Sequence, residues 1–564
     1  MNPLAILILL FSIHFLQAQS ASLEWVIGMG DAGNDQGKSI ITDANGNVYI
    51  TGHFGGMVDF DPDTLNSVIL TANGATDIFI QKLDPNGNLL WVKQMGGIGP
   101  ANEGNAILVD NNGNVYTTGR FYADADFDPG TGIHYLISNG LGDIFIQKLD
   151  PNGNFLWAKS MGSTADDAGN AIALDAAGNV YTTGYFQNTV DFDPGLGTNP
   201  LTAVGISDIF IQKLDPNGNF IWAKTMGGTA DDAGNAIALD VAGNIYTIGQ
   251  FNQTINFDPG MGMMAFTSNG GSDIFIQKLD NNGNFLWAKT MGGINDDVGK
   301  KLIVDNNNNI YTIGHFSDVV DFDPNLGTTN FTSNGLSDIF LQKLDNNGNL
   351  IWAKTMGGAN YDVGESITID TAGYLYTTGY FGGGVDFDLG TGVMLLNALG
   401  LADIFIQKLD NNGNFIWVKQ MGGVSYEHGN AITTDLTGNI YTTGSFFNTT
   451  DFDPNTGVVT LVSAGQYDIF VQKLSQSNFN AVSSLHSSIS KLYPNPSTNQ
   501  LIIELEKVQE ATISILDNQG RLVHPPLLIK EQQTSLELAH LPTGIYYISV
   551  TTSNNTTISP WTKF

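Results

Sequence analysis

The tripeptide Asp-Ile-Phe begins at Asp77, Asp143, Asp208, Asp273, Asp338, Asp403 and Asp468, each 65 or 66 residues from the next. Trp25, Trp91, Trp157, Trp222, Trp287, Trp352 and Trp417 keep the same step. A chain that copies one unit at fixed spacing over most of its length folds as a repeat architecture. Apolar and polar residues alternate with period two inside the unit, which excludes a helical solenoid. The third copy predicts four strands: 170–175, 180–186, 208–215 and 220–225. Turns of the form Asp-x-x-Gly-Asn and Asp-x-Asn-Gly-Asn separate the first from the second and the third from the fourth.

The third strand is apolar on both faces, with Ile209 and Ile211 opposite Phe210 and Leu214. Such a sheet needs a neighbour on each side, which blades stacked in a ring provide. Residues Leu23 to Met29 have the form of a fourth strand with no strands one to three before them. The last copy ends at Asp468 to Leu474 with no tryptophan strand after it. The two fragments complete each other, so the expected fold is all-β: a seven-bladed β-propeller whose N-terminal strand closes the last blade and removes the open edge.

Composition narrows the function. There is no cysteine, hence no disulfide, thiolate nucleophile or Cys-ligated metal. A net charge of -33 repels nucleic acid and anionic lipid surfaces and makes cations the natural small partners. Most of the 55 acidic residues are nevertheless copied with the repeat, so the charge need not reflect selection for a cationic ligand. Residues 1–20 hold an apolar run from Leu4 to Leu16 followed by Ala18, Ser20 and Ala21, the form of a signal peptide; a buried strand or helix is the other reading. The repeats fill 21–474, a Ser/Asn-rich linker is expected over 475–490, and a separate module over 491–564.

The repeat pattern, Gly-Asn-Ile/Val-Tyr-x-x-Gly, then Asp-Ile-Phe-x-Gln-Lys-Leu-Asp, then Gly-Asn-x-x-Trp-x-Lys and Met-Gly-Gly, resembles the SBBP family of bacterial seven-bladed β-propeller repeats over roughly residues 23 to 474. That resemblance implies the fold and no single activity. The tail opens with Tyr493-Pro494-Asn495-Pro496 and later carries Leu541-Pro542-Thr543-Gly544-Ile545-Tyr546. It resembles the type A C-terminal sorting domain of the type IX secretion system, which implies a small β-sandwich, recognition by that export machinery, and a secreted or outer-surface destination in a Gram-negative bacterium. Such tails are often removed on export. Family members usually end in a Lys-rich strand, whereas this chain ends Ser559-Pro560-Trp561-Thr562-Lys563-Phe564. A carbohydrate-binding or spacer sandwich is the other reading of the tail.

Three constellations could carry function. Asp-Phe-Asp pairs, placed by the strand count in loops on the upper face, are Asp59 and Asp61, Asp126 and Asp128, Asp191 and Asp193, Asp321 and Asp323, Asp386 and Asp388, and Asp451 and Asp453. Paired carboxylates could share Ca²⁺, or could cap the loop by accepting backbone N–H groups. Asp35, Asn102, Asp167, Asp232, Asp297, Asp362 and Glu427 precede the first strand of each blade and form either an acidic ring at the channel mouth or a repeated turn cap. The variable residue of Thr/Ile-Gly-x-Phe, namely His53, Arg120, Tyr185, Gln250, His315, Tyr380 and Ser445, could line a ligand surface or be unconstrained surface. The neighbours Glu427 and His428 read as chance surface residues.

Near-identical blades supply copies of one group rather than the unlike roles catalysis needs, and no nucleophile elbow or P-loop is present. The expectation is therefore a monomeric, non-catalytic binding or adhesion protein for a glycan or an extracellular protein. A secreted polysaccharide hydrolase or lyase with its groups in the upper loops is the alternative, and a purely structural matrix component a third reading.

Overall fold

The computed structural model describes residues 21–63, 66–260, 262–476, 489–493, 500–505, 511–516, 522–552 and 556–563. The expected signal peptide and most of the expected linker lie outside the described residues. Two compact units divide the chain, one spanning 18–477 and the other containing 478–564.

In the first unit the repeats form seven four-stranded antiparallel blades. Blade 3 consists of Ala168–Leu174, Val180–Phe186, Asp208–Leu214 and Phe220–Met226, here strands a to d from the centre outward. The innermost strands are Gln36–Thr42, Glu103–Val109, Ala168–Leu174, Ala233–Leu239, Val298–Val304, Val363–Ile369 and Glu427–Thr434. Each touches the next, and the last touches the first, so the ring is closed around a channel. Blade 7 takes strands a to c from Glu427–Thr434, Ile440–Phe446 and Asp468–Gln476, and its strand d is Ala21–Met29. The pairing runs from Ala21↔Gln476 to Met29↔Ile469, the closure expected from the two fragments, and the last strand extends two residues past the expected boundary.

The repeat unit explains its own composition. In Asp-Ile-Phe-x-Gln-Lys-Leu, Ile209 and Ile211 pack toward blade 4, while Phe210 and Leu214 pack toward blade 2. Gln212 Nε2 donates to the Phe192 carbonyl at 2.6 Å, and the matching glutamine does the same in every blade, from Gln81 to Phe60 through Gln472 to Phe452. That bond holds a two-stranded hairpin, Thr189–Asp191 with Pro200–Thr202 in blade 3, within the segment expected to be a loop. The lysine of the motif reaches the next blade: Lys82 Nζ donates to Pro151 O, Lys148 Nζ to Pro216 O and Lys343 Nζ to Asn411 O. Trp91, Trp157 and Trp352 donate from Nε1 to those same three carbonyls. These lysines are clamps between blades.

The a–b turns close by Asx bonding. Asp43 Oδ1 accepts from Asn45 N and Asn47 N, and Gly46 takes φ 77°. Blade 5 has Asn308 at that position, at φ 61°, a conformation asparagine tolerates better than most residues.

The second unit has one sheet of Ile489–Tyr493, Gln500–Leu505 and Gln533–Glu537 and another of Leu522–Ile529, Ala511–Leu516, Gly544–Thr552 and Thr556–Lys563. Leu501, Ile503, Ile513, Ile515, Ile548 and Trp561 are among its core residues. Lys563 is buried, and its ammonium donates to the carbonyls of Leu538 (2.7 Å), Ala539 (3.0 Å) and Leu541.

Candidate functional site

Of the two readings of the residues before strand a, acidic ring or turn cap, the hydrogen bonds bear out the cap: all seven are fully buried staples. Asp232 Oδ2 accepts from Gly228 N (2.8 Å) and Oδ1 from Asn252 N (2.9 Å), tying the entry of strand a to the exit of strand b. Asp35, Asp167, Asp297 and Asp362 repeat the arrangement. Glu427 bonds Gly423 N and Thr450 Oγ1. Asn102 accepts from Tyr122 N and donates to Thr76 O. Burial pushes the carboxyl groups of Asp35, Asp232, Asp297, Asp362 and Glu427 up to about 7, against the pull of their backbone hydrogen bonds. These groups hold the blade and leave the channel mouth to others.

The Asp-Phe-Asp segments also lie elsewhere than expected. Each hairpin descends along the rim, so that Asn325 Nδ2 in blade 5 reaches Gly348 O in the c–d turn, and Asn455 Nδ2 reaches Ala21 O at the lower end of strand d. Asp191 Oδ1 accepts from Asp193 N and Asn199 N, and Asp193 Oδ1 from Gly195 N. Asp59, Asp126 and Asp321 repeat the first pattern and Asp61, Asp128 and Asp323 the second. One oxygen of every pair member is thus engaged in capping the turn. Among the described residues no group of three or more His, Asp or Glu is placed to hold a metal ion.

The variable position of strand b separates into neighbourhoods. Arg120 pairs with Glu103 (3.1 Å) and Asp166 (3.3 Å), and Tyr185 donates to Asp166 (3.0 Å), so those two share one carboxylate. His53 is buried, its Nδ1 has no partner among the described residues, and burial lowers its pKa to about 4. Gln250 stands opposite Ala233 and joins none of these groups. His315 and Tyr380 line a hollow of about 530 Å³ with Ile294, Asp296, Leu336 and Tyr361. Tyr380 also borders a second cavity of about 400 Å³ in the channel, with Lys38, Lys300, Glu365, His428 and Tyr467.

Blades 6 and 7 carry an aromatic cluster at this mouth. The ring of His428 lies 4.4 Å from Tyr380, 6.4 Å from Tyr426 and 6.0 Å from Tyr467, and Phe447 lies 5.7 Å from Tyr467. Tyr361 and Tyr426 are 60% and 44% exposed. The hydroxyls of Tyr361, Tyr380, Tyr426 and Tyr467 make no hydrogen bond among the described residues. His428, read as chance surface, is the centre of the cluster, and its neighbour Glu427 is a staple. The signal for these residues lay in comparing copies. The position before the staple is Asn34, Ala101, Asp166, Asp231 and Asp296 in blades 1 to 5, then Tyr361 and Tyr426.

The fold is that of a β-propeller. Residues 24–53, 90–120 and 416–445 match the family described as Beta-propeller repeat (SBBP), and 491–562 match the Secretion system C-terminal sorting domain. The chain therefore carries SBBP propeller repeats followed by a type IX sorting domain, and the protein is secreted or displayed on the outer surface of a Gram-negative bacterium. Among curated proteins it is similar to the uncharacterized WD repeat-containing protein L264 of Acanthamoeba polyphaga mimivirus, 29% identical over 52% of this chain and 25% of that protein. It is also similar to the regulatory protein FlaEY of Caulobacter vibrioides, 22% identical over 29% of this chain and 17% of that protein. The matches thus span a quarter or less of those relatives. Among solved structures, a protein of unknown function from Bacteroides caccae aligns at TM-score 0.31 and 11% identity, covering 61% of this chain and 89% of that one. A fungal alcohol oxidase aligns at TM-score 0.39 and 10% identity, covering 97% and 100%. No helix among the described residues is long and apolar enough to cross a membrane.

Proposed function

We propose that this exported propeller is a non-catalytic glycan-binding protein whose site is the channel mouth on blades 5 to 7. The observation that carries the reading is the cluster of Tyr380, Tyr426, Tyr467 and His428. Aromatic faces stack against the apolar face of a sugar ring, and hydroxyls that make no internal hydrogen bond are available to its hydroxyl groups. The adjoining hollows give the concave shape such a ligand needs. On the opposite side of the ring, Arg120 and Tyr185 are already joined through Asp166, so the polar groups there have internal partners.

The test is a glycan-array screen of the full chain, followed by titration of any sugar that binds. Tyr380→Ala and Tyr426→Ala should each weaken binding about tenfold or more, as the loss of an aromatic anchor does. Tyr185→Ala should leave binding within about twofold. Equal loss in all three variants, turnover of the bound sugar, or no sugar bound at all would overturn the reading.

A further inference from the structure

Inside the channel, the residue two places after the staple's neighbour in strand a is Asn105, Asn170, Asn235 and Asn430 in blades 2, 3, 4 and 7. Each of these donates Nδ2 to the glycine carbonyl of the next blade: Asn105 to Gly169 (3.1 Å), Asn170 to Gly234 (3.0 Å), Asn235 to Gly299 (3.0 Å) and Asn430 to Gly37 (2.9 Å). The amide ring stitches neighbouring blades together. It is broken in blades 1, 5 and 6, where the same position holds Lys38, Lys300 and Glu365. All three line the cavity beneath Tyr380 and His428.

The charges there do not cancel. Lys300 pairs with Glu365 at 3.2 Å. Glu103, the other carboxylate whose field reaches Lys38, pairs with Arg120 at 3.1 Å. Lys38 has no ion pair or hydrogen bond among the described residues, and burial holds its pKa below the usual lysine value. Burial lowers the pKa of the nearby His53 to about 4, so at physiological pH it adds no second positive charge. An uncompensated ammonium in a half-closed channel is costly unless an anion completes it. This one stands out further because the chain has only 22 basic residues against 55 acidic ones.

We infer that the channel below the aromatic cluster receives the acidic group, carboxylate or sulfate, of an acidic carbohydrate, with Lys38 as its counter-ion. The inference rests on the glycan reading of the mouth and adds to it a charge on the ligand. Asn105 and Asn430 flank Lys38 in the cavity wall.

The test compares ligands that differ only in charge: oligogalacturonate against its methyl ester, and a sulfated galactan oligosaccharide against its desulfated form, each titrated against the full chain. The acidic form should bind about tenfold or more tighter at low salt, as a charge-assisted contact in a sheltered site does. That preference should shrink as salt rises. Lys38→Asn installs the residue that four other blades carry, so the fold is kept. It should abolish the preference for the acidic form, bringing that form's affinity down to the level of its neutral partner. Preference for only one of the two pairs identifies the acid and supports the inference. Equal binding of charged and neutral forms, or a preference that survives in Lys38→Asn, overturns it and leaves the glycan reading standing. Binding of neither form in either pair overturns the inference as well, while the glycan reading falls only if the array screen also finds no sugar.

Discussion

Trp25 and Lys473, from the first and last strands of the propeller, donate to one acceptor, the carbonyl of Pro85, at 3.3 and 2.9 Å. The clamp is the one that joins consecutive blades elsewhere, so ring closure uses the repeat's own contact. It differs only in that its two donors come from opposite ends of the sequence.

The closing strand should therefore be as important to stability as any internal strand. Trp25→Ala removes the indole from the packing of blades 7 and 1 together with its hydrogen bond. The expected cost is about 2–4 kcal/mol, below the roughly 3–5 kcal/mol of a fully buried aromatic truncation because Trp25 is only half-buried. Deleting 21–29 exposes the long edge of Asp468–Gln476 and should produce soluble aggregates as well as loss of stability. Guanidinium denaturation and size-exclusion chromatography read the two effects. A deletion variant that stays monomeric with an unchanged midpoint would contradict closure by this strand.

Closure from the N-terminus also leaves a gap. Blade 7 has no c–d turn, because its strand d comes from elsewhere, so no turn carbonyl awaits the clamp of blade 6. Gln476 replaces it: its Oε1 accepts from Lys408 Nζ at 2.6 Å, and its Nε2 donates to Gly438 O and Tyr376 Oη. Trp417 Nε1 is buried with no partner among the described residues. Trp157→Phe breaks the bond to Pro216 O and should cost about 1 kcal/mol more than Trp417→Phe, which breaks none. Equal costs for the two variants in denaturant unfolding would show that the indole N–H bond contributes nothing.

The fold was legible because it is written seven times. Period-two patterning, the Asp-x-x-Gly-Asn turns and the unpaired strand containing Trp25 fixed the blades and their closure before any coordinates. The site was not legible, for a physical reason. Asp35 and Asp232 are readable as turn caps, but their full burial emerges only when the backbone N–H groups bonded to both their oxygens are in view. The Asp-Phe-Asp segments look like upper loops until the glutamine bond to Phe192 O shows the hairpin folding down the rim. Lys38 and His428 gain meaning only from neighbours on other blades, which a single unit's sequence does not display. Comparing the copies column by column, as at Asn34 to Tyr426, would have found the aromatic pair.

The staples predict an unusual dependence on pH. Burial raises the folded-state pKa of Asp35, Asp232, Asp297, Asp362 and Glu427 to about 7, and of Asp167, Asp273, Asp338 and Asp468 to about 6. A carboxyl whose pKa is higher folded than unfolded binds its proton more tightly in the folded state. Its contribution is fully present below the unfolded value near 4 and is lost as pH rises through 6 to 7. Turn aspartates such as Asp84, Asp150 and Asp215 are held below the ordinary value by Asx hydrogen bonds, and their contribution is lost as pH falls below about 4. The propeller should thus be most stable near pH 4–5, with a Tm higher at pH 5 than at pH 8. Asp232→Asn copies the arrangement of Asn102 and should flatten the slope between those values. A Tm that rises from pH 5 to pH 8 would refute the assignment.

The last prediction concerns Lys563. That lysine, on the strand Thr556–Lys563, is buried with its ammonium directed at the carbonyls of Leu538, Ala539 and Leu541. Hydrogen bonds from a charged donor contribute about 1.5–3 kcal/mol each, offset by the cost of desolvating the ammonium. Lys563→Met keeps the length of the side chain and removes the ammonium from three carbonyls, of which Leu538 O keeps only its bond from Leu541 N. It should destabilise the segment leading into Leu541-Pro542-Thr543-Gly544 by about 2–3 kcal/mol. Because the chain has two compact units, calorimetry should show the smaller transition moving down while the propeller's stays in place. Export should fall with it if the machinery reads the folded module. A variant exported normally, with its smaller transition lowered, would show that recognition needs the sequence of this segment and not its fixed shape.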